Sequence, residues 1–153
     1  MAIEERLVEL GIELPEPPIP KGHYITSRQV GDLLFLTGVV GTRNGEQLHR
    51  GKVGAEVTLE QAQEAARQCA LNHLAIIKHA LGSLDRVECF VKMTGYINAA
   101  PGFLEMPKVL NGASDVFTEV FGEAGAHVRA AIGIAEIGNL HPVETDLIVQ
   151  VKA

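Results

Sequence analysis

The feature that most constrains the fold of this chain is an apolar stripe of helical period that runs unbroken between Thr58 and Gly82. Its members recur at intervals of three or four residues: Leu59, Ala62, Ala66, Ala70, Leu74, Ile77 and Leu81. Thr58 followed by Gln61 is a capping-box signature, and Gly82 is typical of a helix end. The pattern predicts one long amphipathic helix, which is stable only where its apolar side meets another layer of structure.

Five β-rich runs can supply that layer, at residues 23–28, 33–40, 87–98, 128–135 and 143–151. The first two are predicted to pair as a hairpin, and the glycine-rich stretch 41–54 is predicted to be a loop. The third is apolar on both alternating sets at its start, which is typical of a central strand covered on both faces. A second helix is indicated by Pro107 in its first turn and Gly122 at its end.

The order of these elements predicts a two-layer fold of the α/β or α+β class, with one mixed β-sheet and two main helices that can cover one of its faces. The other face of that sheet still carries isoleucine, valine and leucine side chains. A partner subunit is therefore expected to cover it.

A short extension precedes this body. Residues 1–10 have helical spacing of their apolar side chains and end at Gly11. Residues 14–22 contain four prolines, which hold the backbone extended: Pro15, Pro17, Pro18 and Pro20. We therefore expect an N-terminal helix and proline-rich arm over residues 1–20 and a single domain over residues 21–153. The arm is long enough to lie across its own body or a neighbouring subunit.

Composition disfavours several classes of function. A formal net charge of -6 and an aromatic content of 5% make nucleic acid an unlikely partner, because phosphates require basic surfaces and bases stack on aromatic rings. No apolar run reaches the roughly 20 residues of a membrane span, and acidic residues near the N-terminus do not suit a signal peptide, so the protein is expected to be cytoplasmic.

The histidines and cysteines show no spacing typical of a metal site, and no phosphate-binding or dinucleotide-binding glycine motif is present. Neither a metal nor an organic cofactor is therefore expected. His73 falls within the helical stripe and is interpreted as a core histidine that bonds to a carbonyl group or water. Cys69 and Cys89 are interpreted as small, buried, unpaired side chains.

One arrangement of polar residues remains, in the last two predicted strands. Arg129 and Ala131 share one side of their strand, and Glu144 and Asp146 share one side of theirs. If these strands form a hairpin across residues 136–142, Glu144 can fall on the same face as Arg129, although a slip of one residue would reverse this. Either a surface ion pair or a polar pocket would result, and spacing alone does not choose between them.

Several segments, taken in order, resemble the Rid family of reactive-intermediate (enamine/imine) deaminases, which are also known as YjgF proteins or L-PSP endoribonucleases. The segments are Gly22-His23-Tyr24, Leu36-Thr37-Gly38, Gly51-Lys52-Val53-Gly54, the helix from Thr58, residues 81–87, Asn111-Gly112-Ala113-Ser114, Phe121-Gly122-Glu123, and Arg129 with Glu144 fifteen residues later. The similarity extends from about Lys21 to the C-terminus. The arm and first helix resemble the longer-armed, YjgF-like endoribonuclease branch.

The resemblance implies a chorismate-mutase-like fold and a homotrimer with a central barrel and clefts between subunits. It also implies that Arg129 grips the carboxylate of an imino acid and that Glu144 holds a water molecule. Tyr24 and Asn111 match positions that line the same cleft. Many members have cysteine where this chain has Ala131, so a thiol nucleophile is excluded here, while the backbone N–H of Ala131 can still donate to a ligand. A second difference is Ile137-Gly138-Asn139 in place of a common Leu-Pro pair.

The leading functional hypothesis is hydrolytic deamination of reactive 2-enamine or 2-imine intermediates, of the 2-aminoacrylate type, to 2-keto acids and ammonia. A trimeric regulatory module that binds small carboxylates without turnover is a second hypothesis. An endoribonuclease of the L-PSP type is a third, and the net acidity and scarcity of aromatic residues argue against it.

Overall fold

The long helix takes the form that its sequence predicts. The computed structural model describes residues 1–153, and in it helix α2 spans Leu59–Leu81. The Thr58 hydroxyl accepts a hydrogen bond from the Gln61 N–H at 3.1 Å, and the Gln61 side chain accepts one from the Thr58 N–H at 3.0 Å. Gly82 ends the helix with φ of 82°, a left-handed conformation that glycine adopts without strain.

One mixed sheet forms the second layer. Its strands, in spatial order, are β1 (Ser27–Val30), β2 (Leu33–Val40), β7 (Val143–Val151), β5 (Val87–Asn98) and β6 (Val128–Ile134). All neighbours are antiparallel except β5 and β6, which are parallel. The α+β prediction is thereby confirmed. Strand β5 is an interior strand, between β7 and the edge strand β6, whereas the central strand is β7.

Two helices cover one face of this sheet. Helix α3 spans Met106–Phe121, with Pro107 in its first turn, and packs beside α2. The apolar sides of both helices and the facing strand residues form a single hydrophobic core. Helix α1, Ile3–Glu9, adds Leu7 to the same core, so the N-terminal extension is packed onto the body.

Two predicted segments are wrong in detail. Strand β1 begins at Ser27 rather than at residue 23, and the stretch 41–54 contains a small hairpin of β3 (Thr42–Arg43) and β4 (Glu46–Gln47). The hairpin considered as one possibility for the last two strands does not form. Strand β6 pairs with β5 only, because α3 connects β5 to β6 as a crossover, and a crossover of this kind leads back into a parallel strand.

The other face of the sheet is uncovered within the single chain. One row across it consists of Phe35, Ile148, Lys92 and Val128, and the side chain of Val128 is 65% exposed. Ile132, further along β6, is 44% exposed. The expectation that β5 would be covered on both faces is therefore not met within one protomer, where only the helical face of the strand is buried.

His73 and Cys69 lie inside the core, as their place in the helical stripe predicts. His73 is fully buried, and its Nε2 lies 3.1 Å from the carbonyl oxygen of Thr145, to which it donates. Burial lowers the pKa of His73 to about 3 and raises the pKa of Cys69 to about 12, because both groups lose water in their charged forms. Cys69 and the partly buried Cys89 are unpaired.

No helix in the structure combines the length and the apolar character needed to cross a membrane.

Candidate functional site

A pocket on the uncovered side of the sheet contains Glu144. It has a volume of about 230 Å³ and is bounded by the proline-rich arm at Pro18–Lys21, by β2 around Gly38 and by the loop before β7. Gly38 makes room for the Glu144 carboxylate, since a Cβ at that position would lie 3.0 Å from Oε2. Strand β2 also shifts register between Leu36 and Val39, which brings this glycine to the carboxylate.

The pocket environment favours the neutral form of Glu144. Burial raises the pKa of its carboxyl group, and the nearby negative charge of Asp146 raises that pKa further. Asp146 in turn accepts a hydrogen bond of 2.9 Å from the Tyr96 hydroxyl, a bond that raises the pKa of Tyr96. A carboxyl group with a raised pKa holds a proton more readily than an exposed glutamate, which suits a group that accepts and returns a proton.

Tyr24 and His141 also line the pocket and contribute polar side-chain atoms to it. Tyr24 is about half exposed, and its Oη accepts a hydrogen bond of 3.3 Å from the backbone N–H of Lys21 in the arm. His141 is buried, its Nδ1 has no hydrogen-bond partner, and burial and the charges of Lys21 and Arg50 lower its pKa. His141 did not stand out in the sequence, because a single histidine beside a proline gives no periodic or spacing signal.

Arg129 lies at the opposite edge of the sheet, on β6, against helix α3. Its Nη1 donates to the Ser114 hydroxyl oxygen at 3.0 Å, and its Nη2 donates to the carbonyl oxygen of Pro107 at 3.1 Å. Asn111 lies between these two acceptors along α3 and on the same side of the helix, because residues three and four apart are neighbours on a helix surface. Ala131 follows Arg129 on the same side of β6 and packs against the core.

Strand register places Arg129 and Glu144 on opposite faces of the sheet. Arg129 is the β6 partner of Met93, whose fully buried side chain points to the helices. Glu144 is the β7 partner of Tyr96, three residues further along β5. Side chains alternate along a strand, so an odd separation reverses the face. Of the two arrangements that the sequence left open, the structure therefore shows the one in which these side chains lie on opposite faces.

The predicted site residues thus form two groups within one chain. Arg129, Asn111 and Ala131 lie at the edge formed by β6 and α3, and Tyr24 and Glu144 lie in the pocket beside β2. We refer to them as the arginine group and the glutamate group. The arginine group also includes Ser114 and His127, two polar residues that sequence patterns did not single out as site residues. Their side chains are hydrogen-bonded to each other although the residues are thirteen apart in the sequence.

Comparison with known proteins identifies the family. The profile of the YjgF/chorismate mutase-like, putative endoribonuclease family matches residues 4–143. The chain belongs to this family. Protein TCP17 of Trypanosoma cruzi is 37% identical over 151 residues, which are 98% of this chain and 94% of that protein.

Solved structures agree with this membership. A putative endoribonuclease from Shewanella oneidensis is 33% identical with a TM-score of 0.95, and the match covers 99% of this chain and 100% of the Shewanella chain. The Agrobacterium tumefaciens protein Atu1372, described as of unknown function, is 38% identical with a TM-score of 0.90, covering 99% and 93% of the two chains. RidA from an Antarctic Psychrobacter is 25% identical with a TM-score of 0.64, covering 89% and 94%.

Proposed function

We propose that this YjgF-family protein hydrolyses reactive 2-enamine or 2-imine acids to 2-keto acids and ammonia, in the cytoplasm, at clefts between the subunits of a homotrimer. The observation that carries the proposal is the state of Arg129. Its guanidinium is held by two neutral acceptors of α3 and lies within ion-pair distance of no carboxylate of its own chain. Three of its five N–H donors stay free for an anionic ligand.

An arginine in this state suits the carboxylate of an imino acid. The planar guanidinium can hold a carboxylate through two parallel hydrogen bonds, which fixes the plane of the ligand as well as its position. A 2-imino acid carries its electrophilic C=N carbon next to that carboxylate. Fixing the carboxylate therefore fixes the carbon that water attacks.

Glu144 can supply the proton transfers. The water oxygen bonds to C2 while the C=N π electrons move to nitrogen, and the carboxylate takes one proton from the water. Return of that proton to nitrogen gives a carbinolamine. Transfer of the carbinolamine hydroxyl proton to the nitrogen, again through Glu144, lets the C–N bond break as the C2=O bond forms, so ammonia leaves and the keto acid remains. The raised pKa of Glu144 places its proton exchange closer to neutral pH than for an exposed glutamate. A 2-enamine reaches the same path after it tautomerises to the imine.

A second copy of the chain can unite the two groups. The arginine group and the glutamate group lie on different sides of one protomer, and the uncovered sheet face between them presents apolar side chains such as Phe35, Val128 and Ile132. Burial of that face against a neighbour would remove apolar surface from water and place one subunit's arginine group near the next subunit's glutamate group.

One structural neighbour supports the ligand class. The TdcF protein of Escherichia coli, 20% identical with a TM-score of 0.64, was solved with bound serine, which carries a carboxylate next to an amino-bearing carbon. This agrees with a carboxylate-bearing, amino-acid-like ligand for the arginine group.

The experiment that tests the proposal compares the wild type with Arg129→Ala and Arg129→Lys. An amino-acid oxidase or a dehydratase generates the imine, semicarbazide traps it, and the loss of trapped product reports hydrolysis. We expect both variants to lose the acceleration, since lysine retains the charge without the planar pair of donors. Arg67→Lys is the matched control and should keep wild-type activity. Arg67 is a partly exposed arginine of α2 whose Nη1 lies 4.0 Å from Oε2 of Glu119. Full activity in Arg129→Ala would exclude the proposed role.

The same Arg129→Ala variant, in a ligand-binding assay and an RNA-cleavage assay, separates the two other hypotheses. A module that only binds carboxylates would bind 2-ketobutyrate in an Arg129-dependent way while the imine lifetime stayed unchanged. The family's endoribonuclease designation would gain support only from RNA cleavage by the purified protein that disappears with Arg129→Ala. The net charge of -6 argues against that outcome.

A further inference from the structure

A chain of hydrogen bonds runs from the backbone of the turn before β6 to the Arg129 guanidinium. His127 Nδ1 lies 2.7 Å from the carbonyl oxygen of Gly125, and His127 Nε2 lies 3.0 Å from the Ser114 hydroxyl. Arg129 Nη1 lies 3.0 Å from the same hydroxyl. Three side chains from two elements, α3 and β6 with its preceding turn, are therefore linked in series.

The hydrogen bond between His127 Nδ1 and the Gly125 carbonyl oxygen determines which atoms donate and which accept in the other two bonds. A carbonyl oxygen only accepts, so Nδ1 of His127 carries the proton, and in the neutral imidazole Nε2 then has a free lone pair. The Ser114 hydroxyl donates to that lone pair. With its hydrogen turned toward His127, the Ser114 oxygen presents its own lone pairs to Arg129, and every donor in the chain points the same way.

We propose that Ser114 and His127 are positioning residues that hold the Arg129 guanidinium in the orientation in which it binds a ligand carboxylate. The inference rests on the proposed function of Arg129 and adds the device that orients it. Pro107 supplies the second fixed point, since its carbonyl oxygen accepts from Nη2 at 3.1 Å. Two anchors fix the guanidinium plane, whereas one anchor would let the plane rotate about a single hydrogen bond.

Orientation matters here because β6 is the edge strand and Arg129 is only partly buried. A long side chain at such an edge loses several rotamers when it binds a ligand, and this entropy cost weakens binding. Anchoring by Ser114 removes part of that cost before the ligand arrives. The effect should therefore be seen in affinity, and a bound substrate should react at nearly the normal rate.

A purely structural role for His127 can be separated from the proposed one by the choice of variant. The imidazole packs edge-on against the Phe117 ring, with centroids 5.6 Å apart. His127→Phe keeps an aromatic ring for this contact and removes the acceptor for Ser114. His127→Gln can place its amide oxygen near the position of Nε2 and restore the acceptor.

The test measures the dissociation constant of 2-ketobutyrate by calorimetry and the KM and kcat of imine hydrolysis. We expect Ser114→Ala to weaken binding and raise KM about tenfold, the effect of one charge-assisted hydrogen bond at the lower end of its usual range, with kcat within about twofold of the wild type. His127→Phe should act in the same direction, and His127→Gln should recover most of the affinity. The control is Thr118→Ala, which removes another hydroxyl of α3 that bonds only to backbone carbonyls of its own helix.

The outcomes distinguish this inference from the function on which it rests. Wild-type affinity in Ser114→Ala and His127→Phe, together with lost binding in Arg129→Ala, overturns the positioning role and leaves the proposed function intact. Absence of carboxylate binding in the wild type overturns both. A ¹⁵N NMR spectrum that shows the His127 proton on Nε2 instead of Nδ1 also overturns the inference, because the Ser114 hydroxyl would then lack its acceptor.

Discussion

At the scale of single residues, His73 shows how burial turns an ionisable side chain into a determinant of stability. Its Nε2 donates to the Thr145 carbonyl group, while Nδ1 is buried without a partner. A proton on Nδ1 would create a charge inside the core with nothing to compensate it, which is why the pKa falls to about 3. The folded protein therefore holds this side chain neutral.

The stability of the protein should consequently decrease in acid. Below about pH 6.5 the unfolded chain protonates His73 and the folded chain does not, so the unfolded state binds the extra proton. Each unit of pH between about 6.5 and 3 should lower the free energy of unfolding by up to about 1.4 kcal/mol from this group.

Urea unfolding at a series of pH values measures this slope. His73→Gln, which keeps an N–H for the Thr145 carbonyl, should show a shallower pH dependence than the wild type. His79→Gln, at an exposed position of α2, should leave the slope unchanged. An identical slope in the wild type and His73→Gln would contradict the burial argument.

The residues that sequence alone could identify are those with a periodic or family context. His73 lies on a helical stripe, and Arg129 and Glu144 lie on strands of recognisable alternation. Ser114 lies in a family-like segment, but its contact with His127 was not predictable, since it depends on how the turn after α3 folds back toward β6. The Gly125 carbonyl that sets the histidine tautomer is likewise a backbone group that no sequence pattern reports.

At the scale of elements, the closeness of α2 and α3 depends on Gly112. A Cβ at this position would overlap the backbone carbonyl group of Gln63 in α2. Backbone cannot move aside as the end of a flexible side chain can, so the two helices would have to separate. Helix α3 also carries the anchors of Arg129, and a shift of this helix would move them.

Gly112→Ala is therefore expected to destabilise the protein by about 1–3 kcal/mol, the usual cost of overpacking a close contact. Chemical denaturation measures this change. Gly138→Ala is the control, because a Cβ there would meet no atom within 4 Å. Equal stability of the two variants would show that the helices can adjust their packing without cost.

The connection of β5 to β6 explains why the last two strands do not pair as a hairpin. Consecutive strands separated by a short loop pair as hairpins, and residues 136–142 looked like such a loop. A strand followed by a helix and another strand has a stronger constraint, because the helix must return along the sheet and leads to parallel pairing. The β5–α3–β6 unit obeys this constraint, which leaves β7 to pair with β5 and β2. Individual elements were predictable from local patterns, whereas their order in the sheet was not.

At the scale of the whole molecule, the uncovered sheet face determines how the chain is expected to associate. Val128 projects from this face, and a charge there would stay bound to water rather than enter an apolar interface. Val128→Asp should therefore convert a species with the mass of three chains into one with the mass of a single chain. Analytical ultracentrifugation measures the change.

Val8→Asp is the matched control, since Val8 is 79% exposed on α1 in the helical layer, away from the sheet face. It should keep the mass of the wild type. A monomeric wild type, or a Val128→Asp variant that remains trimeric, would show that this face is not the interface.

The separation of the arginine group from the glutamate group predicts that two inactive variants can complement each other in mixed oligomers. If every cleft takes one group from each of two neighbours, Arg129→Ala and Glu144→Gln chains are inactive alone and can complement each other when they assemble together. In a ring of randomly mixed subunits, about one cleft in four pairs an intact arginine with an intact glutamate. Two inactive proteins that are unfolded together and refolded should thus recover roughly a quarter of wild-type activity.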